Sequence, residues 1–174
     1  MRGRRNQEPA AKEVTMELTY TTPGLSEEAS QKAIEILQGR LSQEQEAALI
    51  LKHAHWNMKG ANFIAIHEML DPEVDSVLEQ ADETAERIAQ LGGWSDGRAD
   101  GIIAHRTWDQ FSLTGSRDAL DYVKALADYY ASFVENDRQA IKQLDDLDVV
   151  SSNIIQDHVQ SLEKFLWFLR AHLN

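Results

Sequence analysis

Five side chains between positions 55 and 86 carry the donor atoms that transition metals prefer: His55, His67, Asp71, Asp82 and Glu86. His67 and Asp71 stand four positions apart, as do Asp82 and Glu86, and this spacing places neighbours on one helix face. Imidazole together with carboxylate suits Fe(II), Mn(II) or Zn(II) better than Ca(II) or Mg(II), which favour all-oxygen ligands. The stretch therefore predicts a transition-metal site. The alternative interpretation is that the three carboxylates form an ordinary solvated helix face.

These ligands cannot all meet on a single helix. Asp71 and Asp82 are 11 residues apart, and on a continuous helix that is roughly 16 Å along the axis. Metal–ligand bonds are only about 2 Å long, so one ion cannot join both pairs. Either the pairs have unrelated roles, or a second copy of the helix runs antiparallel and brings its Asp82 and Glu86 to this chain's His67 and Asp71. Pro72 removes one helical hydrogen bond, and we interpret this helix as kinked but continuous.

A first helix must position His55. Ser26 predicts its start, because a serine side chain caps a helix and two glutamates follow in the first turn. His55 falls on the apolar stripe of this helix, where a histidine is more often a core residue than a ligand. Gly60 and its neighbours form a turn, after which a second helix begins. An antiparallel hairpin around Gly60 would place His55 level with His67.

Four amphipathic helices account for most of the remaining chain. The second spans about 63–91, the third about 116–144 and the fourth about 149–173, and a long connection over 92–116 holds a short helix near 99–105. We predict an all-α four-helix bundle without strands, with the long connection between helices two and three. Residues 1–24 show no sustained period and contain two of the three prolines. We predict a flexible N-terminal arm over 1–24 and one bundle domain over 25–174.

The composition excludes several classes of protein. The 174 residues include no cysteine, so disulfides and thiolate metal sites are ruled out. No apolar run is long enough to cross a membrane and the start lacks the apolar core of a secretory signal, so we expect a cytoplasmic protein. The net charge of −12 repels phosphate backbones, but the first dozen residues are basic and are a candidate DNA contact. The basic residues are Arg2, Arg4, Arg5 and Lys12.

Other metal motifs do not fit. The run His67-Glu68-Met69-Leu70-Asp71 resembles a zinc-protease motif, but that motif needs histidine at its fifth position. No Glu-x-x-His segment occurs, so an ordinary di-iron centre inside one bundle is not expected. Three further histidines lack a partnered spacing, and we assign no ligand role to them: His105, His158 and His172.

Longer runs around these residues carry a resemblance. The run from Lys52 to Phe63, KHAHWNMKGANF, continues through IHEMLD at 66–71, and AER at 85–87 precedes LGG at 91–93. With EKFLWF at 163–168, these segments closely resemble the Dps family of mini-ferritins over about 26–174. The resemblance implies a ferritin-like bundle that assembles into a hollow dodecamer with ferroxidase centres at the two-fold interface.

The resemblance also implies a role for each ligand. His55, His67 and Asp71 would come from one subunit, and Asp82 and Glu86 from its partner. The implied chemistry is oxidation of Fe(II), preferably by hydrogen peroxide, with storage of ferric mineral and protection of DNA from oxidative damage. Zn(II) would be a competitor for the same ligands.

Two alternatives stay open beside the iron-storing cage. One is a nucleoid-associated protein that compacts DNA through its basic N-terminal arm. The other is a bundle that has lost its activity. Acidic residues near the turn before the fourth helix are weaker candidates for guiding cations into a cage: Asp145, Asp146, Asp148 and Asp157.

Overall fold

A computed structural model describes residues 17–173 and consists almost entirely of helices. Its elements in chain order are α1 Glu27–Asn57, β1 Met58–Lys59, α2 Phe63–Gln90, α3 Ala99–His105, β2 Arg117–Asp118, α4 Ala119–Leu147 and α5 Val149–Ala171. The predicted four-helix bundle with a short helix in the long connection is confirmed.

Side-chain caps define where the long helices begin. The Ser26 hydroxyl accepts a hydrogen bond from the Ala29 N–H at 3.1 Å at the start of α1, as predicted. The Asp118 carboxylate does the same for α4 by accepting from the Leu120 N–H at 2.9 Å. Asp148 is both the C-terminal cap residue of α4 and the N-terminal cap residue of α5. These caps satisfy amide groups that a helix start otherwise leaves without partners.

Two helix hairpins form the bundle, since α1 packs mainly on α2 and α4 mainly on α5, while α3 lies on α1. Their buried faces form two separate apolar clusters. One cluster surrounds Leu51, Leu70 and Phe133, and the other surrounds Leu37 and Ile155. Buried polar side chains lie on the same helices among and next to the residues of the second cluster, and we name five of them the central polar layer: Arg40, Glu44, Thr84, Asp137 and His158.

The prediction of no strands is wrong for four residues. Met58 and Lys59 pair in parallel with Arg117 and Asp118, which ties the α1–α2 turn to the start of α4. A pair of two-residue strands is too short to leave a period in the sequence. The Asp118 side chain lies so close to Gly60, which has φ +107°, that a Cβ at this position would clash with the carboxylate.

The third long helix also ends later than predicted. It continues to Leu147 instead of Leu144, so Asp145 and Asp146 are helical and only Asp148 forms the turn. The acidic residues resemble a solvated turn in sequence, but the apolar Leu147 extends the helical pattern by one residue beyond them.

The helix α2 continues through Pro72, as predicted.

Residues 19–22, which the prediction places in the N-terminal arm, lie against the last turn of α2. The Tyr20 hydroxyl donates to the Ala89 and Gln90 carbonyl oxygens, and the Thr19 amide donates to the Gly92 carbonyl oxygen at 2.8 Å. Residues 1–16 of the predicted arm, which include its four basic residues, are outside the described residues. Within residues 17–173, no helix is long and apolar enough to span a bilayer.

Candidate metal centre

Two of the five predicted ligands stack on each other. His55 lies in the last turn of α1 and His67 in the second turn of α2, and the tight connection between the helices brings them level. Their ring centroids are 3.5 Å apart with an interplanar angle of 25°. The hairpin argument from the sequence therefore gave the correct neighbours. We call His55, His67 and Asp71 the histidine cluster.

Backbone carbonyl groups fix the tautomers of both rings. His55 Nδ1 lies 3.1 Å from the His67 carbonyl oxygen, and His67 Nδ1 lies 3.1 Å from the His55 carbonyl oxygen. A carbonyl oxygen can only accept a hydrogen bond, so each Nδ1 carries the proton. In the neutral ring the lone pair is then on Nε2, which is the arrangement that a metal-binding histidine needs.

Asp71 completes this cluster and is about half exposed. Its Oδ1 lies 3.2 Å from His55 Nδ1 and 2.7 Å from Lys52 Nζ. The hydrogen bond from Lys52 holds the pKa of the Asp71 carboxyl below its usual value, and the nearby imidazoles act in the same direction. The carboxylate is therefore ionised over the physiological range and available as an anionic ligand.

The other two predicted ligands are not brought to the histidine cluster. Asp82 and Glu86 are exposed residues of the same uninterrupted helix, so the separation of roughly 16 Å from Asp71 persists. Among residues 17–173, no three His, Asp or Glu side chains are arranged, as they stand, to hold a metal ion. A single chain thus presents the five residues as two distant groups.

Asp82 and Glu86 lie on the exposed side of α2, and the buried side of the same segment is bonded to α5. The Arg87 guanidinium donates to the Ser151 hydroxyl at 3.0 Å and to the Asp148 carboxylate at 2.6 Å, which fixes α2 to the start of α5. These bonds determine the rotation of the helix about its axis, and therefore leave Asp82 and Glu86 facing outward.

The same contacts correct one suggestion about cation guidance. Asp148 is 5% exposed and is engaged by Arg87 and by the amides that it caps. Burial alone would raise its pKa, but the hydrogen bonds from Arg87 and Ser151 lower it overall. Asp148 is therefore a structural cap and does not face a passage for cations.

Two residues with evident roles were missed in the sequence. Lys52 contacts the predicted ligand Asp71. Its position one helical turn before Trp56 does not predict this contact. His158 received no role, yet it is 3% exposed and lies between two glutamates. Its position on an apolar stripe, one residue before Val159, was the available signal, because a buried imidazole needs polar partners.

Comparison with known proteins agrees with this architecture. The ferritin-like domain model matches residues 34–174. The DNA protection during starvation protein of Mycolicibacterium smegmatis is 45% identical over 157 residues, which cover 90% of this chain and 85% of that protein.

Solved structures give the same result. The tetragonal form of Mycobacterium smegmatis Dps superposes with a TM-score of 0.87 at 44% identity, covering 89% of this chain and 94% of that one. The Dps of Microbacterium arborescens in its high iron form has a TM-score of 0.81 at 31% identity, covering 88% and 99% of the two chains. The chain described here belongs to the Dps proteins of the ferritin-like family.

Proposed function

We propose that this protein is the subunit of an iron-storing cage that oxidises Fe(II), preferably with hydrogen peroxide, at centres shared by two subunits. His55, His67 and Asp71 of one subunit bind the iron together with Asp82 and Glu86 of a two-fold partner. The observation that carries the proposal is the pair of carbonyl-fixed imidazoles, whose unprotonated nitrogens are free for a metal, in a chain of this family.

The distances within one chain favour a site shared between subunits. The five ligands suit Fe(II), but one chain presents them in two groups that lie roughly 16 Å apart along α2. A two-fold axis that sets two α2 helices antiparallel pairs the first group of each chain with the second group of the other. Each assembled dimer then contains two equivalent centres, and neither chain has one alone.

The ligand set favours oxidation of the bound iron. Carboxylates stabilise Fe(III) more than Fe(II) because their negative charge interacts more strongly with the higher positive charge. Two Fe(II) ions each lose one electron, and one hydrogen peroxide molecule takes up both electrons with two protons to give two water molecules. Consuming peroxide two electrons at a time avoids release of hydroxyl radical, which is how such a centre would protect nearby DNA.

The Lys52–Asp71 pair adds one feature to this chemistry. Lys52 Nζ contacts only the Oδ1 atom of Asp71, so the second carboxylate oxygen is not used by this pair. We infer that Asp71 can bind iron through Oδ2 while Lys52 keeps its carboxylate ionised and oriented.

A mixture of two inactive variants tests the shared centre. In a dimer that combines one His55→Ala/His67→Ala chain with one Asp82→Asn/Glu86→Gln chain, one centre is doubly damaged and the other is fully wild type. Random mixing on co-expression makes half of the dimers mixed, so we expect about a quarter of the wild-type peroxide-driven Fe(II) oxidation. Each variant alone should show only the background rate.

Controls separate this result from simple folding effects. The two chains carry different affinity tags, and both the mixed and the pure assemblies are checked by light scattering for the expected dodecamer and by circular dichroism for helix content. A correctly assembled mixed sample without recovered oxidation would contradict a shared centre. Oxidation by the His55→Ala/His67→Ala protein at the wild-type rate would contradict the ferroxidase proposal itself.

The oxidant and the competing metal are measured with the same assay. We expect faster Fe(II) oxidation with hydrogen peroxide than with dissolved oxygen, and inhibition by Zn(II), which has the same ligand preference but no redox chemistry. Equal rates with both oxidants would remove the peroxide preference and leave the centre intact.

A second candidate function, compaction of DNA, is favoured by the basic residues Arg2, Arg4, Arg5 and Lys12 on an otherwise acidic chain. Several copies of a weakly binding arm on one assembly would reinforce each other. A gel shift at low and high salt compares the full chain with a chain lacking residues 1–12. We expect a salt-sensitive shift with the full chain only. Absence of any shift at low salt would exclude this function.

A further inference from the structure

Charged side chains of the central polar layer connect the two helix hairpins of the bundle. Arg40 on α1 donates to Asp137 on α4 at 2.9 Å. His158 on α5 contacts Glu44 on α1 and also Glu83 on α2, which lies just outside the layer. Each of these contacts crosses from the α1–α2 hairpin to the α4–α5 hairpin. The layer shares no residue with the histidine cluster.

Both nitrogens of the His158 ring face carboxylate oxygens. Nδ1 lies 3.1 Å from Glu44 Oε1, and Nε2 lies 3.1 Å from Glu83 Oε2. A carboxylate oxygen accepts hydrogen bonds and does not donate them, so each ring nitrogen must carry a proton to bond to its partner. A ring with protons on both nitrogens is an imidazolium with a charge of +1. The positions of the two carboxylates therefore select the charged form of His158.

The burial of Glu44 makes this charge important. Glu44 is fully buried, and His158 is 3% exposed. Glu44 Oε1 also accepts a hydrogen bond from the Thr84 hydroxyl at 3.1 Å, but Thr84 is neutral. Among residues 17–173, the only ion pair of Glu44 is with His158. Because a buried carboxylate without a cation is strongly destabilising, Glu44 depends on the proton that His158 carries on Nδ1.

The charged groups near the ring come from all three other long helices. Glu44 on α1 and Glu83 on α2 contact His158 directly, and Asp137 on α4 interacts with it electrostatically while paired with Arg40. Three carboxylates and one guanidinium leave a charge of −2 beside a neutral ring, and a protonated ring reduces this to −1. Burial by itself would lower the pKa of His158, but its hydrogen bonds and charge interactions with the two glutamates raise the pKa above its usual value.

We propose that protonated His158 is a pH-sensitive lock between the two helix hairpins. Its two N–H groups tie α5 to α1 through Glu44 and to α2 through Glu83. The first proton to leave is the one on Nε2, because the Glu83 side chain is 55% exposed and water can solvate it, whereas Glu44 is enclosed. The Nε2 lone pair then repels the Glu83 carboxylate, and the link between α5 and α2 opens. The lock does not depend on the proposed ferroxidase function.

The lock weakens as the pH rises. The folded pKa of His158 is above the unfolded value of 6.5, so its contribution to stability is fully present below pH 6.5 and is lost as the pH rises through the folded pKa. Asp137, whose pKa burial raises to about 7, adds its own loss between pH 3.8 and 7. The lock is therefore measured as a difference between proteins that both keep Asp137, with the comparison extended to pH 9.

Nitrogen NMR tests the protonation of the ring directly. Assembled wild-type protein that contains ¹⁵N-labelled histidine is sedimented, and solid-state spectra are recorded from pH 6 to 9. Signals of His158 are identified by their absence from His158→Gln and by their shift in Glu83→Gln, so the assignment does not depend on one variant. We expect two ring N–H signals at pH 6 and loss of the Nε2 proton as the pH rises. One ring N–H at pH 6, or two that persist at pH 9, would overturn the proposal.

Urea denaturation tests whether the proton stabilises the fold. His158→Gln should raise the unfolding equilibrium constant about 10- to 100-fold at pH 6, because hydrogen bonds between charged groups are lost. This difference from wild type should shrink at pH 9, where the wild-type ring is neutral. His105→Ala changes an exposed histidine and is the matched control. A His158→Gln effect of the same size at both pH values would show that the ring acts through packing alone and would contradict the lock.

Glu83→Gln tests the link to α2 while leaving the buried Glu44 contact in place. Since Glu83 is more than half exposed, we expect only a two- to fivefold rise in the unfolding constant, to about that extent at pH 6 and none at pH 9. Glu79→Gln, on the exposed side of the same helix, should have no such pH-dependent effect. All proteins are compared at one concentration, with light scattering at each pH to confirm equal assembly. Identical pH profiles for Glu83→Gln and Glu79→Gln would remove Glu83 from the lock and overturn the proposal.

Discussion

The histidine cluster and the central polar layer both place imidazole beside carboxylate, but they differ in what surrounds them. In the histidine cluster, backbone carbonyls fix the rings and the Asp71 side chain is half exposed to solvent. In the central polar layer, four helices of the same chain enclose the side chains. The histidine cluster is therefore reached by solvent at Asp71, whereas the central polar layer is enclosed by the fold itself.

The two regions also differ in how they satisfy charge. Lys52 and Asp71 are paired where water reaches both side chains, so the ion pair contributes little to stability. Arg40 and Asp137 are paired where water is excluded, so each depends on the other. Five substitutions, each described below, turn this comparison into measurements.

The largest expected effect is from Arg40→Met, which leaves Asp137 buried without its cation. Burial raises the pKa of Asp137 to about 7, and Arg40 only partly counteracts this. Since the folded pKa is above the unfolded value of 3.8, the cost is greatest above pH 7, where the carboxyl must ionise. We expect a loss of about 3 kcal/mol in the free energy of unfolding at pH 8, measured by urea denaturation at fixed protein concentration.

A second substitution checks the cause of that loss. Adding Asp137→Leu to Arg40→Met removes the uncompensated carboxyl, so the double variant should be more stable than Arg40→Met alone. If the double variant is less stable than Arg40→Met, the layer is stabilised by packing of these side chains and not by their charge pairing.

The next largest effect concerns Glu73, which is buried on α2 only two residues from exposed Asp71. Burial raises the pKa of Glu73 to about 8, and the hydrogen bond that it accepts from Tyr130 at 3.0 Å offsets only part of the shift. The unfolded chain ionises this group near 4.5, so the protein loses about 1.4 kcal/mol of stability per pH unit between 4.5 and 8.

Glu73→Gln should therefore stabilise the protein progressively as the pH rises through this window. At pH 8 the gain should be a few kcal/mol at most, and near pH 4.5 it should vanish. Urea denaturation at several pH values measures it, with Glu79→Gln as the control because Glu79 is exposed on the same helix. A pH-independent difference between Glu73→Gln and wild type would show that Glu73 is not buried as a neutral acid.

A smaller effect is expected for His67→Ala, and it concerns the rate of iron oxidation. Removing one of the two imidazoles should lower the peroxide-driven rate by at least about tenfold, with little change in helix content. His105→Ala changes an exposed histidine outside both regions and should keep the wild-type rate. Equal losses in the two variants would mean that the histidine cluster has no special role in the oxidation.

The smallest expected effect is from Lys52→Met in the histidine cluster. Lys52 and Asp71 have side-chain exposures of 35% and 51%, so we expect a change of less than about 1 kcal/mol in the free energy of unfolding. The change should shrink further at high salt, because exposed charges are screened. A loss as large as that of Arg40→Met would contradict the contrast between the two regions.

Much of the fold could be predicted from local signals. The Ser26 cap, the glycine turn after α1 and the apolar periods of the long helices gave the bundle and its long connection, because each depends on residues within a few turns. The end of α4 was predicted three residues too early, because its acidic last residues resemble a solvated turn. The strand pair at Met58 was missed because it depends on a contact made across the fold. Two residues are too few for a period to be detected.

The sequence by itself determined that the five predicted ligands cannot meet on one helix. That result needs only the rise per residue, which is a local property of the backbone. It likewise predicted that His55 and His67 are neighbours, because a short turn of known position joins their helices.

Only the tertiary structure decided the composition of the central polar layer. Glu44 and His158 are separated by 114 residues, and Arg40 and Asp137 by 97. Each of them alone looks like an isolated polar residue on an apolar stripe, because burial and partners depend on which helices pack together. Spacing along the chain can predict neighbours on one helix or hairpin, but the meeting of side chains from four helices is fixed only when the bundle closes.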